Sequence, residues 1–378
     1  MKFRKFASLL SLLIVFLIVF ISISCKDDSS PTEPQIKILN ADTIEKLQTA
    51  ADKVMMEIQA PGMMAYISVE GEGEGIYITR GVSNIVTNEP MNINNYWRIG
   101  SVTKTIVGEA VLILVDEGKI DLNKPISFYL PELKIPSGDK ITIPMLANMT
   151  SGLYDYADDD WLKSLSDSHG QKVFTLEQLL TGAFSYNMRF EPGTKYEYCN
   201  TNYLLLGLLI TKVTGKPVID VLNEKIFQPL GMKNTFWPNT SYLPYPYSHG
   251  YYLYEGSLLD VTNWNPSWGN AAGILTSNIF DMKIWSKEMV EGKLLSAKMK
   301  SERFSWVDSE IPGVSSSGFG VEKYGDWIFH DGTLPGYNTK VYCNTVNKIT
   351  IIIYTTSADG LPGGPVLVAF MNILSPLK

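Results

Sequence analysis

The chain has few of the residues that build disulfide frameworks, metal sites or nucleic-acid surfaces. Its 378 residues include three cysteines, which are too few for a disulfide framework. It has three histidines, and because no CxxC or HExxH spacing is present, a metal site is not expected. Lysine and arginine number 32 against 39 aspartates and glutamates, a net charge of −7. Nucleic-acid binders carry a basic surplus, so nucleic acid is not an expected partner.

The longest hydrophobic run lies at the N-terminus. Residues 9–21 are almost entirely apolar, and Lys2, Arg4 and Lys5 precede them. A positive segment followed by a short apolar segment and small residues is typical of a secretory signal. Thirteen residues span only about 20 Å as a helix, which is short of a bilayer core of roughly 30 Å. We therefore expect residues 1–24 to be a signal peptide.

The segment that follows begins with Cys25 and continues with the polar stretch KDDSSPTEPQ. A small residue, a cysteine and a polar stretch resemble a bacterial lipoprotein signal, in which the cysteine is lipidated and becomes the first residue. The resemblance implies that Cys25 carries lipid, that residues 25–38 contain a flexible tether, and that the membrane is a partner. It also implies export to the bacterial cell envelope, on the periplasmic side or the surface. An uncleaved membrane anchor and a cleaved secreted form remain as alternatives.

Helical periodicity is clearest in three segments. Ala41–Ile58 has apolar residues at spacings of three and four, as an amphipathic helix does. Ser101–Glu117 is apolar on nearly every side, which indicates a helix buried in a large core. Thr201–Thr214 is the clearest helix in the middle of the chain, where helical stretches alternate with connectors rich in proline, glycine and asparagine.

Strand patterns occur near both ends of the chain. The predicted strands are Met63–Glu70, Gly75–Thr79, Ser317–Lys323, Asp326–His330, Tyr337–Asn344 and Lys348–Thr356, and a closing helix is predicted at Pro365–Ile373. We therefore expect an α/β (α+β) fold in one domain over residues 39–378. Its α/β part combines residues 39–124 and 286–378, and residues 125–285 form a mostly helical insertion.

The sequence S-x-x-K occurs three times, and one copy is suited to chemistry. Ser101 and Lys104 begin the predicted buried helix, where residues three apart share a face. The N–H of a serine at a helix N-terminus is unsatisfied and points at developing negative charge. Lys104 can accept the serine proton only when it is neutral, which an apolar setting favours. The other copies, at 137–140 and 375–378, lie in a turn and at the chain end, and a serine cap with a solvated lysine is the alternative for the first.

Two further motifs follow in an order that resembles a known family. Tyr198-Cys199-Asn200 and His330-Asp331-Gly332 match Y-x-N and H-x-G of the serine penicillin-recognising superfamily. That superfamily contains D-alanyl-D-alanine carboxypeptidases, class C β-lactamases, and related esterases and D-aminopeptidases. The flanking stretches that also resemble it include ITIPMLANMTSGLYDY (141–156), FEPGTKYEYCNTNYLLLG (190–207) and HDGTLPGYNT (330–339). The resemblance extends over roughly residues 42–374, and it implies an antiparallel sheet flanked by helices, of the β-lactamase/transpeptidase type.

The resemblance implies a role for each motif residue. Tyr198 is expected to pass the proton to the leaving group, with nearby cations, Lys104 and His330, lowering its pKa. Asn200 is expected to bind the substrate amide, and its alternative is the N-cap of the following helix. Gly332 is expected to leave room for the substrate backbone. The N–H groups of Ser101 and Thr333 would form an oxyanion hole, and the Thr333 hydroxyl would bind a substrate carboxylate.

The implied activity is that of a serine hydrolase that works through a covalent acyl-enzyme without a cofactor or metal. D-Amino-acid peptides of the carboxypeptidase type are the first expectation, and esters and β-lactams are further small substrates. Asp331 departs from the Thr or Ser of the family motif, and its charge would repel a substrate carboxylate. An esterase, a D-aminopeptidase or a β-lactamase therefore remains open. A catalytically weak penicillin-binding lipoprotein is the alternative from another class.

Overall fold

The structure is a computed structural model that describes residues 37–374 except 59, 159–160, 255, 311 and 357–362. The predicted signal peptide, Cys25 and nearly all of the predicted tether lie outside the described residues. Residues from Ile38 onward form one compact unit. The predicted boundaries of the helical insertion within that unit remain predictions.

The main sheet, built from nine strands of the described residues, joins the two ends of the domain. In spatial order its strands are Glu89–Pro90, Ile76–Asn84, Gly62–Val69, Ile349–Thr355, Tyr337–Asn344, Trp327–Leu334, Glu322–Tyr324, Ser316–Ser317 and Val307–Asp308. Neighbouring strands are antiparallel, and Met63 of the first long strand lies opposite Thr355 of the last. The predicted antiparallel sheet built from both termini is thus confirmed.

The last strand shows why this sheet sits in the middle of the molecule. Ile351 and Ile353 contact one apolar cluster, whereas Ile352 and Tyr354 contact the other. Successive side chains of a strand point to opposite faces, so an apolar run can fill two cores. The helix Ala41–Ile58, at its predicted bounds, and the closing helix pack on the first of these faces.

The second face carries the remaining helices. The central helix (Thr103–Asp116) follows a short 3₁₀ turn, Gly100–Val102, and packs against Thr201–Thr214. The helices in chain order are Ala41–Ile58, Thr103–Asp116, Ile126–Tyr129, Ile143–Ala147, Trp161–Asp167, Leu176–Phe184, Thr201–Thr214, Val218–Leu222, Gln228–Leu230, Asn270–Gly273, Ile279–Glu291, Ala297–Arg303 and Gly363–Leu374. Two-stranded pairs complete the fold: Trp97–Arg98 with Thr276–Ser277, and Tyr251–Tyr254 with Ser257–Asp260. Across the described ranges, the helices are too short or too polar to cross a membrane.

The predicted strand Ser317–Lys323 is wrong as a single element. The structure has two short strands there, separated by a turn at Gly318-Phe319-Gly320. A side chain at Gly320, which has φ +79°, would come within 2.9 Å of the Lys104 carbonyl. The chain therefore turns where it meets the central helix. The alternating pattern of residues 317–323 could not predict this turn, because the contact is with a helix that is distant in sequence. The turn also places the strand Glu322–Tyr324 beside the candidate site.

Candidate active site

The first turn before the central helix holds Ser101 close to the main sheet. Gly100 has φ +55°, and a Cβ there would lie 3.0 Å from the Thr333 nitrogen. A side chain at Gly332 would meet the Ile99 carbonyl at 2.0 Å. Two glycines thus let the helix entry and the strand approach each other at backbone distance.

The predicted base, Lys104, lies directly against the predicted nucleophile. Lys104 Nζ is 2.9 Å from Ser101 Oγ, 2.7 Å from Asn200 Oδ1 and 2.6 Å from the Ala272 carbonyl oxygen. The lysine is completely buried, and burial lowers its pKa to about 7 even though nearby carboxylates act to raise it. When the amine is neutral, its two N–H groups donate to Asn200 Oδ1 and to the Ala272 carbonyl oxygen. Its lone pair can then accept a hydrogen bond from the Ser101 hydroxyl.

Asn200 stands at the N-cap position of the helix Thr201–Thr214, but its side chain does not cap that helix. Instead, Asn200 Oδ1 accepts from Lys104, and Asn200 Nδ2 donates to Asp155 Oδ2 at 2.9 Å. Asp155 also accepts from the Ala157 N–H. Sequence reasoning missed Asp155 as a site residue, although it lies in a stretch that carries the family resemblance. The Asp155 carboxyl group accepts from the Asn200 amide and so fixes the orientation in which that amide accepts from Lys104.

Tyr198 lies where its motif predicts, but its charge state differs from the expectation. The ring centroid is 5.0 Å from Lys104 Nζ. Burial raises the pKa of Tyr198 well above its usual value of 10, and the nearby Ser101 hydroxyl acts in the opposite direction. The expected lowering by nearby cations is therefore wrong, and the phenol stays protonated.

His330 is buried and neutral. Its Nδ1 lies 2.7 Å from the Asp331 carbonyl oxygen, which can only accept, so Nδ1 carries the proton and Nε2 is the acceptor. Burial, assisted by the positive charge of Lys104, lowers the pKa of His330 to about 3. His330 lies 6.4 Å from Tyr198, ring centroid to ring centroid. The expectation that His330 supplies a positive charge beside Tyr198 is wrong.

Gly332 and Thr333 border the helix entry at Ser101. The absence of a side chain at Gly332 makes room for the Ile99 carbonyl, and the room expected for a substrate backbone stays a prediction. Thr333 is exposed, and its Oγ1 accepts from Asn338 Nδ2 at 2.9 Å, which leaves the hydroxyl proton free to face a ligand. The backbone approach of residues 100–101 and 332–333 is the arrangement an oxyanion hole requires.

Asp331, which departs from the family motif, is paired within the main sheet. It forms an ion pair with Lys340, the residue opposite it on the neighbouring strand. Lys340 is nearly buried, at 5% exposure, and therefore compensates the aspartate charge inside the sheet. The repulsion of a substrate carboxylate expected from Asp331 is thus reduced by its partner.

A cleft of about 460 Å³ opens above these residues. Its walls include the predicted Ser101, Tyr198, Asn200, His330 and Thr333, as well as Tyr156, Tyr252, Trp268 and Glu322. Two of these rings, Tyr252 and Trp268, belong to the aromatic-rich segment 237–268. Glu322 was missed because its cleft position depends on the turn before its strand. Within the described ranges, His, Cys, Asp and Glu side chains form no group of three or more that could hold a metal ion.

The fold and this arrangement of side chains are of the β-lactamase/transpeptidase type. The family described as "Beta-lactamase" matches residues 44–372. The chain belongs to the beta-lactamase family, which confirms the resemblance found in its motifs.

Two solved structures illustrate the likeness. A D-stereospecific amidohydrolase from Streptomyces sp. has a TM-score of 0.77 and 26% identity, over 86% of this chain and 97% of that chain. The D-amino acid amidase from Ochrobactrum anthropi SV3, complexed with D-phenylalanine, has a TM-score of 0.76 and 26% identity, over 88% of this chain and 99% of that one. Both are similar to this chain along nearly the whole of their length.

Curated relatives are longer than the part that matches. PbpX of Bacillus subtilis strain 168 is 28% identical over 274 residues, which are 71% of this chain and 64% of that protein. Protein flp of Staphylococcus aureus strain MW2 is 23% identical over 326 residues, which are 83% of this chain and 63% of that protein. The chain thus spans a little under two thirds of the length of these relatives.

Proposed function

We propose that this protein hydrolyses amide bonds of small D-amino-acid substrates through an ester formed on Ser101. The observation that carries the proposal is the contact of 2.9 Å between Lys104 Nζ and Ser101 Oγ, made by a buried amine whose pKa is lowered to about 7. An amine that is about half neutral at pH 7 can accept the serine proton, whereas an ordinary lysine is almost entirely protonated there. The two other acceptors around the amine, Asn200 Oδ1 and the Ala272 carbonyl oxygen, keep its lone pair directed at the hydroxyl.

The proposed reaction has two stages. Ser101 Oγ adds to the substrate carbonyl carbon while its proton passes to Lys104, and the N–H groups of Ser101 and Thr333 hold the negative oxygen. The carbon–nitrogen bond then breaks as the Tyr198 phenol gives its proton to the leaving amine and takes one from Lys104. Water next adds to the ester carbon, returns a proton through the same groups, and releases the acid and free Ser101.

D-Amino-acid amides and short peptides are the substrates that the cleft supports best. Its lining side chains, among the residues described, include no lysine or arginine to bind a C-terminal carboxylate. The two similar solved structures are a D-stereospecific amidohydrolase and a D-amino acid amidase. A D-alanyl-D-alanine carboxypeptidase is the second candidate, favoured by the free hydroxyl proton of Thr333.

Intact-mass measurement with benzylpenicillin tests the acyl-enzyme. We expect one penicillin to add to the protein, and peptide mapping to place it on Ser101. An adduct that persists for hours would indicate a penicillin-binding hydrolase, and one that decays within seconds would indicate a β-lactamase. The proposal is wrong if no adduct forms on Ser101 with benzylpenicillin and D-alanine p-nitroanilide is also left intact.

We also propose that the enzyme works in the bacterial cell envelope, attached to the membrane through lipid on Cys25. The support is the basic, apolar and cysteine-containing pattern of the first 25 residues. Cells given radiolabelled palmitate should label the wild type and not Cys25→Ala, and the variant should leave the membrane fraction. Equal labelling of the two proteins would contradict this location.

A further inference from the structure

One carboxyl group in the cleft has no part in the proposed proton transfers. Glu322 begins the short strand that follows the turn at Gly318–Gly320, and it lines the cleft together with Ser101 and His330. It is only 8% exposed, so its carboxyl group is largely removed from water. Burying an ionised carboxylate costs free energy unless a cation or strong hydrogen bonds compensate it.

The protein itself compensates Glu322 weakly. The Tyr196 hydroxyl donates to Glu322 Oε1 at the long distance of 3.5 Å, and no described lysine or arginine forms an ion pair with this carboxyl. Burial and the nearby Asp331 carboxylate raise the pKa of Glu322 to about 7, while Lys104 and Lys340 act to lower it. A cation that enters the cleft would supply the ion pair that the protein does not provide for Glu322.

The other two carboxyl groups around the cleft already have partners. Asp155 accepts from Asn200 Nδ2 at 2.9 Å and from the Ala157 N–H at 3.0 Å. Asp331 is paired with Lys340 in the main sheet. Of these three carboxyl groups, Glu322 is therefore the one that has neither an ion pair nor a short hydrogen bond.

We propose that Glu322 binds the protonated α-amino group of the substrate, which makes the preferred substrates amides and peptides with a free N-terminal amino acid. This inference rests on the proposed acylation of Ser101. The α-amine and the carbonyl that Ser101 attacks are attached to the same carbon, so they enter the cleft together. A charge-assisted hydrogen bond between the ammonium and a sheltered carboxylate then holds the acyl portion in place.

Two matched substrates test this assignment at pH 7, where an α-amino group is mainly protonated. D-Alanine p-nitroanilide carries the amine, and (R)-lactic acid p-nitroanilide carries a neutral hydroxyl of nearly the same size. For the wild type we expect kcat/KM to favour the amine by about 10- to 100-fold. In Glu322→Gln the preference should fall to near parity through a higher KM for the amine, with a much smaller change for the hydroxyl substrate.

Controls separate this inference from the function on which it rests. Glu57→Gln, an exposed change at the end of the first helix, should behave as the wild type. Penicillin labelling of Ser101 should persist in Glu322→Gln, which shows that the variant is folded and can be acylated. The inference is overturned if the wild type shows no amine preference, or if Glu322→Gln weakens both substrates equally while labelling persists. If Ser101 is not acylated in the wild type either, the proposed function itself fails.

Discussion

Ser101→Ala should lower kcat/KM for D-alanine p-nitroanilide by about 10⁴- to 10⁶-fold. The alanine keeps the backbone N–H at the helix entry but removes the oxygen that would form the ester. The measurement is release of p-nitroaniline at saturating and at low substrate concentration. Because both kcat and kcat/KM depend on the nucleophile, the two should fall together, with little change in binding.

The chain offers its own control for this change. Ser137 and Lys140 form a second S-x-x-K, but they lie in a turn beyond the cleft lining, and Lys140 pairs with Glu191 on the surface. Ser137→Ala should leave hydrolysis and thermal unfolding as in the wild type. If Ser101→Ala retained more than a hundredth of wild-type activity, the ester mechanism would be wrong, and attack by water would have to be considered.

Replacing Lys104 with methionine should reduce kcat by about 10²- to 10⁴-fold, the usual contribution of a general base. Methionine has nearly the same length and fits a site that is completely buried, so the fold should be kept. Penicillin labelling of Ser101 should slow by a similar factor. Lys140→Met, at the matching position of the second motif, should have no effect on either rate.

The pH dependence of kcat/KM is an independent test of Lys104 as the general base. The pKa of Lys104 is lowered to about 7, so the neutral form that accepts a proton prevails above pH 7. For the wild type acting on (R)-lactic acid p-nitroanilide, which has no amine for Glu322 to bind, we expect kcat/KM to fall tenfold per pH unit below about pH 7 and to level off above it. That acid limb should be absent from the residual activity of Lys104→Met. A wild-type profile that is flat between pH 5 and pH 8 would contradict the role of Lys104 as base.

Local patterns predicted the parts of the site that depend on neighbours in sequence. Ser101 and Lys104 share one helical turn, and apolar spacing gave Thr201–Thr214 its observed bounds. The order of the motifs placed Tyr198 and Asn200 beside them before any distance was known. These predictions succeeded because helix geometry brings residues three apart onto one face.

Charge states could not be predicted in the same way. The neutral His330 and the protonated Tyr198 result from burial under elements that are distant in sequence. The partner of Asp331 is set by strand register, which pairs it with Lys340. The cleft position of Glu322 depends on a turn forced by contact with the central helix. Each of these is decided by packing between elements, which local sequence does not contain.

The pairing of the first long strand with the last governs when the protein can fold. Gly62 and Thr356 are hydrogen-bonded although 294 residues separate them in the chain. A ribosome adds about 5–20 residues per second, so this contact becomes available about 15 s or more after Gly62 is made. Closing so long a loop is also slow, because its entropy is lost before the contact is gained. During that interval the edge of the first strand is unpaired and can pair with other chains, so protection of newly made chains by a chaperone should raise the yield of folded protein.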